Sequence, residues 1–285
     1  MNWHENKTIL TPTSGFLKTG YTHSVNVYRG CAFAKALCGT FCYAQHNIWI
    51  TKGRRWGFYA AKRHVADAYC REYDRIKKPS GRPAKPLKIY MSSVTDPYIP
   101  QEARLKSTRA LLTEMVARPP DALVVQTHNT LILRDIDLIQ EIAEKCTVWV
   151  SMSVETDMDP VPGLPQHASP PQTRLAVAKQ FKDAGVKTQI AVSPLLPISD
   201  LPAFCTRIDE CASRVILDHF LIGDGSPNGL RTKRTGLIPL LESNGFGEWS
   251  SLEKLWEVSD YMTSRLGKAR VLVSCEGFNS WGFIE

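Results

Sequence analysis

Long apolar runs are missing from this sequence. The longest, such as Ala122–Val125 and Val148–Val150, are far shorter than the ~18 residues that a membrane-spanning helix needs. We therefore expect no transmembrane helix. The first ten residues combine aromatic and charged side chains instead of a basic start followed by an apolar core, so no secretory signal is predicted either. A cytoplasmic protein is the resulting expectation.

Repeats of fixed length and low-complexity tracts are also missing. The 285 residues are 43% hydrophobic and 22% charged, which supplies a sizeable core and excludes a mostly disordered or fibrous chain. One α/β barrel of ~250 residues would use nearly all of this length, and two smaller domains would also fit.

Acidic residues are scarce in one stretch. The segment Thr51–Tyr90 holds 12 basic and 3 acidic residues, a net charge of +9, while the rest of the chain sums to −2. A localised basic surface next to aromatic residues suits a polyanion, because neutralising phosphates releases counterions. A solvated helix face followed by a basic loop explains the same composition, and the sequence leaves both interpretations open.

Eight cysteines without an export signal do not predict a disulfide framework, since cytoplasmic thiols are kept reduced. Five of them are expected to behave as small buried hydrophobes: Cys70, Cys146, Cys205, Cys211 and Cys275. The other three, Cys31, Cys38 and Cys42, fall within twelve residues of a loop that also contains Gly30 and Gly39.

Three thiolates on one loop suit two kinds of metal site. One is a zinc ion with a fourth protein ligand, and the other is a cubic iron-sulfur cluster with one iron left open. His46, four residues after Cys42, is the nearest candidate for a fourth ligand. A structural zinc site therefore remains an alternative.

Short β-branched runs alternate with amphipathic stretches of helical length. The predicted strands lie near Ser24–Tyr28, Leu87–Ser92, Ala122–Thr127, Thr147–Ser153, Val186–Ser193 and Arg214–Ile222. The predicted helices lie near Trp56–Ile76, Gln101–Ala117, Arg134–Cys146, Pro171–Ala184 and Asp200–Ala212. Six strand–helix units favour parallel strands joined by right-handed crossovers.

The fold class predicted from this order is α/β, a partial (β/α)6 TIM-type barrel of parallel strands over residues 20–225. A C-terminal extension, residues 226–285, is expected to pack on this core with the helix Ser251–Leu266 and the strand Arg270–Ser274. Barrel enzymes work at the carboxyl ends of their strands. The cysteine loop follows the first predicted strand, so we expect it at the mouth of the barrel.

Several segments in a fixed order resemble the radical S-adenosylmethionine enzymes, in particular the spore photoproduct lyase-like branch. The resemblance covers Asn26–Pro197. It rests on Asn26–Cys31 leading into the cysteine loop, Thr95–Tyr98 after the second strand, Thr127 and Leu133–Ile136 at the third, Ser151–Ser153 at the fourth and Pro194–Pro197 at the fifth.

This sequence departs from the family pattern in two places. The family has three and then two residues between its cysteines, whereas six separate Cys31 from Cys38 and three separate Cys38 from Cys42. Lyases of this branch also carry a hydrogen-donating cysteine three residues before the aspartate that matches Asp96, and Ser93 stands there in this chain. Repair of thymine dimers is therefore not the reaction that we predict.

The resemblance implies two cofactors. Cys31, Cys38 and Cys42 would hold a [4Fe-4S] cluster, and its open iron would bind S-adenosylmethionine, which is reductively cleaved to a 5′-deoxyadenosyl radical that abstracts hydrogen from a substrate. Ser93 and Asp96 are expected near the methionine amino group, which needs acceptors. His128, Ser153 and Glu155 are expected at the carboxylate or the ribose.

The same resemblance makes Ser93 and Tyr98 the candidate catalytic residues, with Tyr98 facing the mouth and able to stack on a base. An ordinary loop aromatic is the alternative for Tyr98. Arg134 and Asp135 are either cofactor contacts or a structural pair at a helix start.

Three functions follow. The first is a radical enzyme acting on nucleic acid that is bound through residues 51–90, with an external electron donor of flavodoxin or ferredoxin type. The second is a zinc- or cluster-stabilised nucleic-acid-binding protein without catalysis. The third is a radical enzyme acting on a small molecule or a protein.

Overall fold

A computed structural model describes residues 3–281; residues 282–285 of the predicted extension lie outside this range. The strands are β1 (Trp3–His4), β2 (Leu10–Pro12), β3 (His23–Val25), β4 (Tyr28–Gly30), β5 (Tyr59–Lys62), β6 (Lys88–Met91), β7 (Ala122–Thr127), β8 (Thr147–Ser153), β9 (Lys187–Val192), β10 (Arg214–Leu217) and β11 (Val271–Val273). The α-helices are α1 (Leu37–Thr40), α2 (Ile48–Thr51), α3 (Val65–Lys77), α4 (Glu102–Leu105), α5 (Ser107–Ala117), α6 (Ile136–Ala143), α7 (Pro171–Asp183), α8 (Leu201–Cys211), α9 (Phe220–Gly223), α10 (Leu230–Lys233), α11 (Leu237–Ser243), α12 (Leu252–Leu266) and α13 (Ser274–Asn279). Within residues 3–281, no helix is both long enough and apolar enough to cross a membrane.

Eight strands form one sheet in the order β11-β10-β9-β8-β7-β6-β3-β2. All neighbours in it are parallel except β2, which pairs antiparallel with β3. No strand pairing in the described part of the chain joins β2 to β11, so the barrel is open. The predicted partial barrel of parallel strands is confirmed, and β11 adds a seventh parallel strand to the six expected.

The sheet is buried on both faces. One apolar cluster lies between the strands and the surrounding helices. A second cluster fills the inside of the barrel, with one residue from each of six consecutive strands: Tyr90, Val124, Trp149, Ala191, Ile216 and Leu272. β-branched strands covered on both sides are typical of parallel sheets. The inner layer of side chains fills the barrel below the carboxyl ends of its strands.

The C-terminal helix α13 covers the open side of the barrel. Its Asn279 accepts a hydrogen bond from the backbone N–H of Gly20 at 2.7 Å and donates one to the carbonyl of Phe16 at 2.6 Å. The Tyr21 hydroxyl donates to the carbonyl of Phe278 at 2.7 Å. These bonds connect the β2–β3 edge to the β11 edge without a strand pairing. The predicted boundary between a barrel core and a C-terminal extension at residue 225 stays a prediction.

The predicted helix Trp56–Ile76 is wrong in its first half. Residues Tyr59–Lys62 form β5, which pairs with β1 and β4 in a second, three-stranded sheet, and α3 begins at Val65. Left-handed backbone at Gly57 and His64 (φ of 98° and 54°) separates this strand from the loop before it and the helix after it. The first predicted strand is also divided, since β3 belongs to the barrel and β4 to the small sheet.

Candidate functional site

A cavity of about 580 Å³ opens at the carboxyl ends of the barrel strands. Its wall contains residues that follow each of five strands, together with the cysteine loop. From the strand ends come Ser92, Ser93, Asp96, Gln126, His128, Glu155, Ser193, Pro194 and Asp218. This is the end of the barrel at which the sequence predicted a site.

The three clustered cysteines all line this cavity. Burial raises the pKa of the Cys31 thiol to about 12 and that of Cys42 to about 11, and it raises the pKa of Cys38 as well, with Glu155 and Cys31 adding to the shift. Within residues 3–281, no group of three or more His, Cys, Asp or Glu side chains is compact enough to bind one metal ion directly. The donor set still suits a multi-iron cluster, because three thiols on one loop face one cavity and a cluster bridges sulfurs that a single ion cannot reach.

Two glycines allow the cysteine loop to fold tightly. Gly30 has a φ of 71°, and a Cβ there would lie 1.9 Å from the carbonyl oxygen of Phe58. A Cβ at Gly39 would lie 1.7 Å from the carbonyl oxygen of Phe33. The Trp56 indole N–H donates to the carbonyl of Gly39 at 2.8 Å. Larger residues at either position would push the backbone away from the cavity.

Asp96 is held by three donors. Its Oδ1 accepts from the backbone N–H of Tyr98 at 2.8 Å and from the Thr127 hydroxyl at 2.7 Å, and its Oδ2 accepts from the backbone N–H of His128 at 2.8 Å. The carboxylate is 6% exposed and lines the cavity. These bonds orient a negative charge at the place where the sequence predicted a cofactor contact.

His128 and Glu155 continue this charge network. The His128 imidazole lies between two carboxylates, with Nε2 2.8 Å from Glu155 Oε1 and Nδ1 3.4 Å from Asp96 Oδ2. Burial opposes the charged imidazole, but Glu155 and Asp96 outweigh it and raise the pKa of His128 to about 9. His128 is therefore cationic at pH 7.

Behind this pair lies Arg174, a residue of α7 that sequence reasoning missed. It is 1% exposed, and its Nη1 lies 2.9 Å from Glu155 Oε2. Burial opposes ionisation of Glu155, but Arg174 and His128 overcome it and hold the pKa of that carboxyl well below its usual range. Arg174 also donates to the carbonyl of Ser153. Its position in the first turn of α7 gave no sequence signal for this contact.

Ser93 lines the cavity beside the cysteine loop. Its Oγ accepts a hydrogen bond from Asn26 Nδ2 at 3.0 Å, and its carbonyl accepts one from the Tyr43 hydroxyl at 3.1 Å. Asn26 Oδ1 also accepts from the backbone N–H groups of Val94 and Thr95. Asn26 and Tyr43 thus attach the loop after β6 to both ends of the cysteine loop.

Two predicted site residues do not line the cavity. Tyr98 is fully buried in the outer apolar cluster near Asp135 and Glu102, so its ring does not face the mouth as expected. Ser153 is fully buried and its Oγ accepts from Gln126 Nε2 at 3.1 Å. Gln126 reaches the cavity from β7 and Ser153 supports it from behind.

Arg134 and Asp135 form a structural network, which agrees with the second of the two roles considered for them. Arg134 Nη2 lies 2.7 Å from both Asp135 Oδ2 and Glu102 Oε1. Neither Arg134 nor Asp135 lines the cavity. His46, the possible fourth zinc ligand, is also outside the cavity wall.

Asp218 forms a second wall of the cavity, after β10. Its Oδ2 accepts from the Ser193 hydroxyl at 2.9 Å, while its Oδ1 has no hydrogen-bond partner within residues 3–281. Burial raises the pKa of Asp218 to about 6, and the hydroxyls of Ser274 and Ser193 offset this only in part. The sequence showed Asp218 as a polar residue of the sixth strand and gave no reason to select it.

Of the remaining cysteines, Cys205 and Cys211 are buried and Cys70 and Cys146 are half-buried, but Cys275 is exposed. The expectation of a buried Cys275 is therefore wrong. Its Sγ lies 3.2 Å from the carbonyl oxygen of Phe16 in the contact between α13 and the N-terminal segment.

Comparison with known proteins shows the fold. The structure of spore photoproduct lyase complexed with dinucleoside spore photoproduct superposes with a TM-score of 0.61 at 12% identity, covering 95% of this chain and 80% of the lyase. A mutant of spore photoproduct lyase gives 0.56 at 11% identity, over 90% of this chain and 77% of that one. The chain therefore has the partial-barrel fold of spore photoproduct lyase, and the resemblance read from the sequence is confirmed at the level of the fold.

Curated relatives are all uncharacterised. The chain is 30% identical over 183 residues to protein ORF301 of Acidianus two-tailed virus, covering 61% of this chain and 56% of that protein. It is 28% identical to protein MJ0683 of Methanocaldococcus jannaschii, over 62% of each chain, and 28% identical to protein Rv2578c of Mycobacterium tuberculosis, over 62% of this chain and 50% of that one. The match thus spans between half and about three fifths of these relatives. No family model matches the chain.

Proposed function

We propose that this protein is a radical S-adenosylmethionine enzyme. The observation that carries the proposal is the joint placement of Cys31, Cys38 and Cys42 with the Asp96–His128–Glu155 charge network around one cavity, at the carboxyl ends of a spore photoproduct lyase-type barrel. The three cysteines would hold a [4Fe-4S] cluster. When bound, the cluster and S-adenosylmethionine supply an electron and a carbon-centred radical for hydrogen abstraction.

The residues of this chain bind and orient the cofactor. An ammonium group needs acceptors, and the fixed Asp96 carboxylate and the Ser93 hydroxyl provide them beside the cysteine loop. Cationic His128 is a charge in the wall that complements a carboxylate, and Glu155 and Asp96 keep it protonated and oriented. Charges that are fixed before the cofactor binds need no reorganisation at the moment of reaction.

Asp218 and Ser193 are proposed to contact the substrate. They lie on the wall after β9 and β10, and Asp218 Oδ1, which has no hydrogen-bond partner among residues 3–281, is an acceptor for an N–H or O–H group. Ser93 is proposed as a binding residue, because an alcohol O–H gives up a hydrogen atom less readily than a thiol. We therefore do not assign the lyase's own reaction to this chain.

The substrate that we propose is nucleic acid, with damaged DNA as the first to try. The support is the part of the basic segment 51–90 that lies next to cavity-lining Ile50 and Trp56, namely exposed Lys52, Arg54 and Arg55, and the dinucleoside bound in the lyase of the same fold. The electron would come from an external donor of flavodoxin or ferredoxin type.

Cluster retention tests the proposed cysteine role. After anaerobic reconstitution with iron and sulfide, the wild type should bind about four iron and four sulfide ions per chain. The triple Cys31/Cys38/Cys42→Ala variant should bind none, and a Cys70/Cys275→Ala control should match the wild type. One zinc ion per chain in the wild type, or equal iron in all three proteins, would contradict the proposal and favour the non-catalytic binding protein.

A further inference from the structure

Exposed apolar side chains are concentrated around the cavity mouth. Six large hydrophobic residues are more than a third exposed in the described part of the chain: Trp3, Ile48, Trp49, Ile222, Leu230 and Trp256. Four of these lie on α2, α9 and α10, whose neighbouring residues Asn47, Ile50, Gly223 and Arg231 line the cavity. Trp49 is 78% exposed. Exposed apolar patches that are surrounded by polar residues mark binding surfaces, whereas single exposed residues do not.

Basic side chains alternate with these apolar ones. Lys52, Arg54 and Arg55 follow α2 and are exposed, and Lys233 and Arg234 at the end of α10 are exposed as well. The two groups are far apart in sequence, but α10 packs against the Tyr43–His46 turn that leads into α2. We call the set Ile48, Trp49, Lys52, Arg54, Arg55, Ile222, Leu230, Lys233 and Arg234 the rim.

The chain that builds the cysteine side of the rim contains no acidic residue from Asn6 to Ala66, although it holds nine lysines and arginines. On the other side, the nearby Asp224 is buried, and its carboxylate accepts hydrogen bonds from Ser226 and Thr232. The rim therefore offers positive charge with little local neutralisation. A positively charged surface of this kind attracts a polyanion and does not attract a protein surface that lacks acidic residues.

The rest of the basic segment 51–90 lies elsewhere. Lys77 pairs with Asp121 at 2.7 Å, and Asp121 accepts from the backbone N–H of Leu87 at 2.5 Å. Asp121 and Leu87 precede β7 and β6, so this group lies at the amino ends of the strands, the opposite end from the mouth. Lys78 also pairs with Asp74 on α3 at 3.2 Å. These charges are partly neutralised and far from the cavity.

We propose that the rim binds single-stranded nucleic acid, with one base stacked on Trp49 and the flanking phosphates on the basic residues of both groups. Lys52 Nζ lies 4.8 Å from the centroid of the Trp49 ring, so it supports one face of the indole and leaves the other for a base. Aromatic platforms with interleaved cations bind single strands in this way, and a base inside a duplex cannot stack on such a platform unless it is extruded.

This inference rests on the proposed nucleic-acid substrate, but its test does not need the radical chemistry. Binding of a fluorescently labelled dT12 strand to the full-length chain is measured by anisotropy without S-adenosylmethionine or reductant. Failure of the cluster experiment would leave the binding result standing, and failure of binding would leave the cluster result standing.

Trp49→Ala should weaken dT12 binding about tenfold, and Trp49→Phe should retain most of it, because stacking on one aromatic contributes ~1–3 kcal/mol per base. Trp256→Ala is the matched control, since Trp256 is 49% exposed on α12 away from the mouth. It should leave dT12 binding within about twofold of the wild type.

The charge test compares two double variants with the same change in net charge. Lys233/Arg234→Ala should reduce the slope of log K against log salt by about 1.4, since each phosphate contact on a single strand contributes about 0.7. Arg71/Arg75→Ala on α3 should leave that slope unchanged. Equal effects of the two double variants, equal losses in Trp49→Ala and Trp256→Ala, or tighter binding of a 12-base-pair duplex than of dT12 would each overturn the proposal.

Discussion

The two walls of the cavity differ in how their buried charges are compensated. On the first wall, Asp96, His128, Glu155 and Arg174 alternate in sign, and each contacts an oppositely charged neighbour. On the second wall, buried Asp218 has hydroxyl neighbours, Ser193 and Ser274, in place of a cation. Paired charges stay ionised and fixed near neutral pH, whereas an uncompensated buried carboxyl titrates there. The first wall is thus suited to hold a cofactor in one orientation. On the second wall, the protonation of Asp218 can change when a ligand binds.

Removing Arg174, the buried cation behind the first wall, should have the largest effect on stability. Arg174→Ala leaves Glu155 buried without its main counter-charge, which should lower the free energy of unfolding by about 3–5 kcal/mol. Urea unfolding measures this. Arg118→Ala is the control, because Arg118 pairs with Glu114 at 2.8 Å but both are about one third exposed; it should cost at most about 1 kcal/mol. Equal losses in the two variants would remove the distinction between a buried and a surface pair.

A smaller effect of opposite sign is expected at the second wall. The pKa of Asp218 is raised to about 6 from the ordinary 3.8, so the folded state retains a proton that the unfolded state releases, and wild-type stability falls as the pH rises from about 4 to about 6. Asp218→Asn removes this loss. The variant should be more stable than the wild type at pH 7, by up to about 3 kcal/mol, and no such gain should be present at pH 4.

Unfolding midpoints of wild type and Asp218→Asn between pH 4 and pH 8 test this difference. Asp96→Asn is the matched control on the first wall, where the carboxylate accepts from three donors; it should destabilise the protein at pH 7. A gain in stability in both variants, or in neither, would show that the two walls do not differ in charge compensation.

The sequence predicted the barrel well because its strands are buried on both faces and are rich in apolar and β-branched residues, as in β7 and β8. It missed β5, since Tyr59–Lys62 is short and its partners β1 and β4 are distant in sequence. Pairing of that kind depends on tertiary contacts that local propensity does not contain.

The candidate site was predicted in part. Strand ends and the cysteine loop were placed correctly at the mouth, but the direction of each side chain was not fixed by its position. Ser153 supports Gln126 from behind, and Tyr98 turns into the core. Arg174 and the α10 side of the rim were missed because they reach the site from elements that carry no motif.

In the proposed function, three cysteines and one charge network on the same cavity carry out radical chemistry. Its most direct test is release of 5′-deoxyadenosine, quantified by chromatography after anaerobic reconstitution, reduction with dithionite and addition of S-adenosylmethionine. We expect release by the wild type and by Cys70/Cys275→Ala, and none by Cys31/Cys38/Cys42→Ala. A wild type that carries a cluster yet releases no 5′-deoxyadenosine, or a triple variant that still releases it, would show that this cavity does not carry out radical chemistry.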